Sequence, residues 1–513
     1  MARWLAIFVP LALAAGQSQA QQPLSAIDWL NDLPPTVQIP PQPPLVTQTM
    51  PPDVTVEPLE AARAPVGLVS GRITGLSDTL WQGSDPATVA RAIADVSVSA
   101  LPAARRLLFT LLLTEARATG TGPDLVLEAR ARRLMAMGAA DPAFALLEVA
   151  QPLDDPGLVA AWFDAGLLVQ QPAAPCHAIR NTPHLSPGYA ASVFCAARMG
   201  HIAAATVMFD GARSLGLMSP EEEDLLDRLL HPEFFEDATP LSPPEAPTPL
   251  IVTLRAAIAE PLSATALPRA FAVIDLHDVA GWKAQLDAAE RLGRSGALTG
   301  NGLLGVYTAR MPAASGGVWD RVAAVQKFET ALFSRDQAAV AETLPKAWDA
   351  MHAAGLTVTL ADVFAPDLES IPMTGEAGDL ALRFLLLSDR YETAATMAEA
   401  AGLAVGDTAF LTALARGLPG SVSAQVSAAN PASGSGPQRL AITDGFAPMP
   451  ALPPRLDGYP LGETILKALD LLDSGARGNL GDLTDALLGL RALGLEDVAR
   501  RAALQLVILG PQG

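Results

Sequence analysis

The chain is 513 residues long, half of them apolar, and carries a formal charge of −20 with an isoelectric point near 4.7. So acidic a chain lacks the basic footprint that nucleic acid or an anionic lipid surface demands, which argues against both as partners. Four lysines against thirty arginines, with alanine at roughly one residue in five, is the bias of a GC-rich bacterial genome, and the length allows several domains or one elongated array.

Residues 1–20 read as a secretory signal peptide. Arg3 supplies the positive start, WLAIFVPLALAA the apolar stretch, and Ser18-Gln19-Ala20 a small-x-small cleavage site. The apolar stretch is too short to span a bilayer, and the longest later one, LLFTLLL at 107–113, is shorter still, so no membrane span is expected. The expected location is the periplasm, after cleavage behind Ala20.

Residues 21–66 open with a docking-like segment and continue as a proline-rich, disordered tether. In SAIDWLNDL, Ser25 and Asp28 have capping-box spacing, while Ile27, Leu30 and Leu33 fall at three-residue steps beside Trp29. So short a segment cannot hold a helix alone, because nucleation outweighs the few bonds gained. Ile27, Trp29, Leu30 and Leu33 are therefore candidate anchors for an apolar groove, on another protein or on this one.

From 67 to 232 and again from 256 to 418 the sequence is helical in pattern, separated by a proline-rich linker at 233–255. Helix starts are marked by Asp85-Pro86, Asp141-Pro142, Asp155-Pro156, Ser186-Pro187 and Ser219-Pro220, with Glu222 completing a capping box at the last. The acidic run Glu221–Asp224 reads as favourable charge at a helix N-terminus rather than a cation site. Only TVTLADVF, 357–364, is ambiguous between helix and strand. A disordered linker is expected at 419–456 and a small helical module at 457–513.

Four stretches share one layout: an apolar helix end, a turn, and an alanine five residues on. The pairs are Gly138/Ala143, Gly200/Ala205, Asp389/Ala394 and Gly494/Ala499. In this layout the chain resembles the tetratricopeptide-like helical-repeat class, in which a small residue near the turn and an alanine on the second helix recur. The resemblance implies an all-α fold, an irregular α-solenoid of helical hairpins offering a groove to a partner.

The chemistry-bearing residues are few. Cys176 and Cys195 flank a closed loop in an expected oxidising compartment and read as a disulfide; two alternatives are free thiols or a metal site with His177, His184 and His201, although no zinc spacing is present. GNGLLG at 300–305 matches the dinucleotide pattern, but a helical run precedes it where a strand is required, so a glycine-rich turn is expected. His231, Glu233, Glu236 and Asp237 gather at a domain boundary and read as a solvated cluster. Trp319 and Arg321 are a second candidate partner contact, or a helix start with the tryptophan packed inward. No catalytic motif, cofactor site or metal site is recognised. The expected function is a non-catalytic scaffold, adaptor or assembly chaperone binding a protein or cell-envelope component. An alternative is an envelope-acting hydrolase or lyase, directed for example at peptidoglycan, with an unrecognised carboxylate site. Convergent buried acids in the groove, with one strongly raised pKa, favour the enzyme; a smooth apolar or arginine-lined groove without such acids favours the scaffold.

Overall fold

A computed structural model describes residues 64–510, apart from 100, 121, 278–279, 422–435 and 449–450. The stretches expected as signal peptide and tether, up to residue 63, and with them Ile27, Trp29, Leu30 and Leu33, lie outside the described residues. What is described is all-α. Helices succeed one another from Gly71 to Leu509, and the extended pairings among the described residues are two isolated bridges, Val66 to Ala116 and Val69 to Thr114. The ambiguous stretch at 357–364 lies in helix Thr357–Glu369.

Local chemistry sets most of the helix boundaries. Asp85 caps helix Pro86–Asp95 by accepting from the Thr88 amide, and Asp155 caps helix Pro156–Leu168 through the Gly157 and Leu158 amides. Ser219 and Glu222 close a reciprocal capping box on helix Pro220–Leu230. Two expected starts differ. Helix Ala140–Ala150 begins ahead of Asp141, because the preceding turn already presents the Ala139 carbonyl to the Ala143 amide. Ser186 bonds Ser192 Oγ at 2.8 Å instead of capping, and the helix starts at Tyr189.

The recurring hairpin turn has a common mechanism. Gly138, Gly200 and Gly494 all adopt left-handed φ, of 91°, 81° and 79°. In each, the following amide reaches back five residues: Ala139 to Leu134 O, His201 to Ala196 O, Leu495 to Leu490 O. This is the Schellman closure, and a side chain at the glycine would be strained. The alanines five residues on, Ala143, Ala205 and Ala499, are fully buried, as is Ala394 of the fourth pair, so the second helix lies close against the first.

Helices also occupy part of two stretches expected as linkers. Thr248 caps a helix at Pro249–Ala257, and Arg255 Nη1 holds the preceding loop through Leu241 O at 3.1 Å while Glu260 accepts the Leu241 amide at 2.9 Å. Helix Gly436–Gly445 packs Ile442 into the core and hands Ala441 O to Thr484. Proline density in both regions masks short apolar repeats that find partners far along the chain.

The C-terminal helices Leu461–Ala476, Leu480–Ala492 and Glu496–Leu509 share one hydrophobic core with helices Pro86–Asp95, Pro102–Leu113 and Leu125–Ala136. The Ala103 amide donates to Gln505 Oε1 at 2.9 Å, and the Ser97 amide to Asp470 Oδ1 at 2.8 Å. A Cβ at Gly462 would collide with Trp81, so glycine is what permits that approach. In an open solenoid each hairpin touches only its neighbours; here the last helices return to the first. A second core fills helices between Trp282 and Leu387, and a third surrounds the Cys176–Cys195 disulfide.

Candidate functional site: an arginine-lined groove

The returning chain leaves a groove between helices 102–113, 125–136, Trp282–Ser295, 357–369 and 496–509. It has two compartments, of about 520 and 620 Å³, which share Pro102, Arg105, Arg294, Gly355 and Val358.

The first compartment is polar and cationic. Arg105, Arg133, Arg269 and Arg294 line it, each from a different element, and Asp95 is the carboxylate on its wall. Arg105 Nη1 donates to Ser99 O at 2.6 Å, and Arg133 Nη1 to Ala94 O at 3.2 Å, so the loop at 94–99 fixes both guanidiniums. Arg133 Nε is buried without a hydrogen-bond partner among the described residues. Arg269 makes no hydrogen bond or ion pair among them either, although Arg291 behind it is held by Ala264 O and Leu267 O.

Burial first, then Arg269, pulls the Arg105 guanidinium down to about 10, with Asp473 opposing. Burial and Arg269 likewise lower Arg133, while burial, Arg291 and Arg294 lower Arg269. Arg105, Arg133 and Arg269 thus feel the neighbouring guanidiniums. The fold offsets part of that repulsion. Arg133 and Arg294 lie in the last turns of their helices, and His352 in that of helix Gln337–Ala353, where the helix dipoles are negative.

The second compartment is more apolar, with Phe109, Leu113 and Leu298 on its walls, and holds two aspartates. Asp389 pairs with Arg106 at 3.0 Å and Arg501 at 2.7 Å. Burial pushes its carboxyl up, but these hydrogen bonds and charges win and hold it below the usual range. Asp362 is exposed on the groove; the protein mass around it pushes its carboxyl up to about 6, Arg106 opposes, and Asp389 adds to the rise.

The residues singled out from sequence fall elsewhere. Cys176 and Cys195 are bonded to each other and buried, so neither sulfur is available as a thiolate ligand, and His201 Nε2 instead meets Arg180 Nη1 at 3.0 Å. GNGLLG forms the first turns of helix Gly300–Thr308, capped by Thr299 and preceded by a helix; a Cβ on Gly300 would collide with Val363, so this glycine serves helix packing. His231 bonds Asp227 at 2.8 Å, and among the described residues no three potential metal ligands converge.

Trp319 is half-buried against Trp282, ring centroids 5.2 Å apart, on the second core. Arg321 grips buried Glu290 with two hydrogen bonds, Nε at 2.7 Å and Nη2 at 2.6 Å, while Tyr307 Oη donates to the same carboxylate at 2.7 Å. Burial and Glu290 push the Tyr307 phenol far up.

The groove arginines were not singled out in advance. Their one sequence signal is that Arg133 and Arg294 precede Gly138 and Gly296 at helix ends, in RRLMAMG and RLGRSG. No family model, curated protein or solved structure matches this chain.

Proposed function

We propose that this chain is a non-catalytic scaffold, adaptor or assembly chaperone of the bacterial cell envelope, and that it receives an anionic segment of a partner in the arginine-lined groove. The observation that carries this reading is the convergence of Arg105, Arg133, Arg269 and Arg294 on one open cavity in a chain whose net charge is −20. A local cationic cavity on an acidic molecule discriminates by charge complementarity, admitting an acidic segment while the rest of the surface repels non-specific ones. The Schellman-closed hairpins with buried alanines support a degenerate tetratricopeptide-like architecture. The disulfide, and the lack of any described helix long and apolar enough to cross a membrane, accord with export to the periplasm. The segment with Trp29 and Leu30 supplies a second, independent anchor in this reading.

The test is crosslinking capture from native envelope extracts, comparing the wild type with Arg269→Glu/Arg294→Glu and Trp29→Ala/Leu30→Ala. Loss of one discrete partner from the groove variant supports the proposal; captures identical to wild type in both variants refute it.

One observation favours a second reading, an envelope-acting hydrolase or lyase. Asp362, with its raised carboxyl, and Asp389, held ionised by Arg106 and Arg501, share the second compartment, which is the separation of proton affinities an acid and a base require. Peptidoglycan cleavage by the wild type, abolished in Asp362→Asn, would establish it in place of the scaffold.

A further inference from the structure

We propose that the polar compartment of the groove is a binding site for a phosphoryl oxyanion, held by Arg105, Arg133, Arg269 and Arg294, with the organic body of the phosphate ester extending toward the apolar compartment. The proposal rests on the reading of the groove as a binding surface and names the chemistry that it takes.

Three observations carry it. First, four guanidiniums line the compartment, where Asp95 is the carboxylate on the wall; Asp470 and Asp473 act on Arg133 and Arg105 from outside the lining, and the C-terminal ends of helices 125–136, 282–295 and 337–353 each add about half a negative charge. Second, donors remain without acceptors. Arg269 is exposed on the cavity and makes no hydrogen bond or ion pair among the described residues, so its guanidinium fork is free to meet an anion, whereas Arg133 is held by the Ala94 and Val96 carbonyls and contributes charge. Third, the four side chains approach from separate elements around one cavity. A carboxylate is planar and presents two oxygens, satisfied by one or two forks; a terminal phosphate presents three oxygens in a tetrahedral spread and accepts forks from several directions at once.

The size of the ligand follows from the cavity. About 520 Å³ is far more than an inorganic ion fills and lies in the range of small-molecule sites. Val96, Val98 and Met137 give the same compartment apolar wall, and the shared boundary at Val358 leads on to Phe109 and Leu298. The ligand so described is a phosphomonoester or pyrophosphate ester with an apolar body, free in solution or borne by a lipid headgroup.

The experiment is isothermal titration of the full chain with pyrophosphate, with succinate as a dicarboxylate control, and co-sedimentation with vesicles containing phosphatidate or phosphatidylcholine alone. Expected is saturable one-to-one binding of pyrophosphate, weakened roughly tenfold by Arg269→Gln, since a charge-assisted hydrogen bond of this kind contributes that much, and weakened further by Arg269→Gln/Arg294→Gln. Added salt should weaken it in every case. Arg310→Gln, an exposed arginine outside the groove, should leave binding unchanged. Arg269 is exposed and unbonded among the described residues, so its replacement leaves the fold intact and the comparison interpretable.

Pyrophosphate binding in solution supports a free phosphate ester; arginine-dependent capture by phosphatidate vesicles alone supports a headgroup. Absence of both, equal weakening by Arg310→Gln, or succinate binding as tightly as pyrophosphate overturns the proposal. If pyrophosphate fails to bind while Arg269→Glu/Arg294→Glu still loses its protein partner, the phosphoryl site is wrong and the groove reading stands. If pyrophosphate binds and partner capture is unchanged, the site stands and the groove is not the partner surface.

Discussion

Replacing Arg321 by methionine isolates one buried charge and tests the interior directly. Glu290 is almost fully buried and accepts three hydrogen bonds, two from Arg321 and one from Tyr307, with Arg294 Nη1 at 4.0 Å. The variant keeps the volume of the side-chain stem but leaves the carboxylate with a neutral hydroxyl and a distant cation. Stranding one partner of a buried pair costs about 3–5 kcal/mol. The Arg321 side chain retains 24% exposure, so water can approach the vacated site, which places the expected loss at the low end, about 3 kcal/mol. Adding Glu290→Gln removes the charge and keeps an acceptor for Tyr307. The double variant should regain most of the loss, with a coupling energy of about 2 kcal/mol. Urea unfolding followed by tryptophan fluorescence reads this, since Trp282, Trp319 and Trp348 lie on the same core. A loss below about 1 kcal/mol for Arg321→Met, or a double variant no more stable than the single one, would refute the buried ion pair and return Arg321 to the surface.

Three further outcomes are expected. Replacing Cys176 and Cys195 by alanine opens a loop of 19 residues' separation and should lower stability by about 3 kcal/mol, read by urea midpoint under non-reducing conditions; an unchanged midpoint would contradict it. Burial raises the Asp164 carboxyl from its ordinary 3.8 to about 6, with Arg132 opposing. The native state therefore holds that proton between about pH 4 and 6 while the unfolded chain releases it, so stability falls as pH rises through this window. Asp164→Asn should stabilise by about 1–2 kcal/mol at pH 7 and by nothing near pH 3.5; equal effects at both would be inconsistent. Gly138→Ala combines a strained left-handed φ of 91° with a collision against Leu292, and should destabilise by about 1–3 kcal/mol on thermal melting.

What was legible in the sequence is what a few neighbouring residues decide. The caps at Asp85, Asp155 and Ser219, the glycine turns at Gly138, Gly200 and Gly494, and the disulfide are short-range, and each depends on backbone rules or loop closure. The all-α class follows from the sum of such signals. The groove was not legible, because its arginines stand at 105, 133, 269 and 294 and meet only where helix 282–295 packs on helix 102–113 and segment 269–276 on helix 125–136. Nor does local pattern separate an arginine that pairs inside from one that lines a cavity: Arg321 and Arg269 differ only in whether a buried glutamate lies within reach. Helix 436–445 was obscured for the same reason, since its partner is Thr484.

The central claim is that the groove is the surface a partner enters. A photo-crosslinking amino acid placed at Val358, on the boundary of both compartments, tests it in intact cells, with the same residue at Phe333, exposed and on a different helix, as reference. The account predicts a discrete adduct from position 358 that disappears when Arg269 and Arg294 are also reversed to glutamate, and no such adduct from position 333. No adduct at 358, or one indifferent to the two arginines, would contradict it.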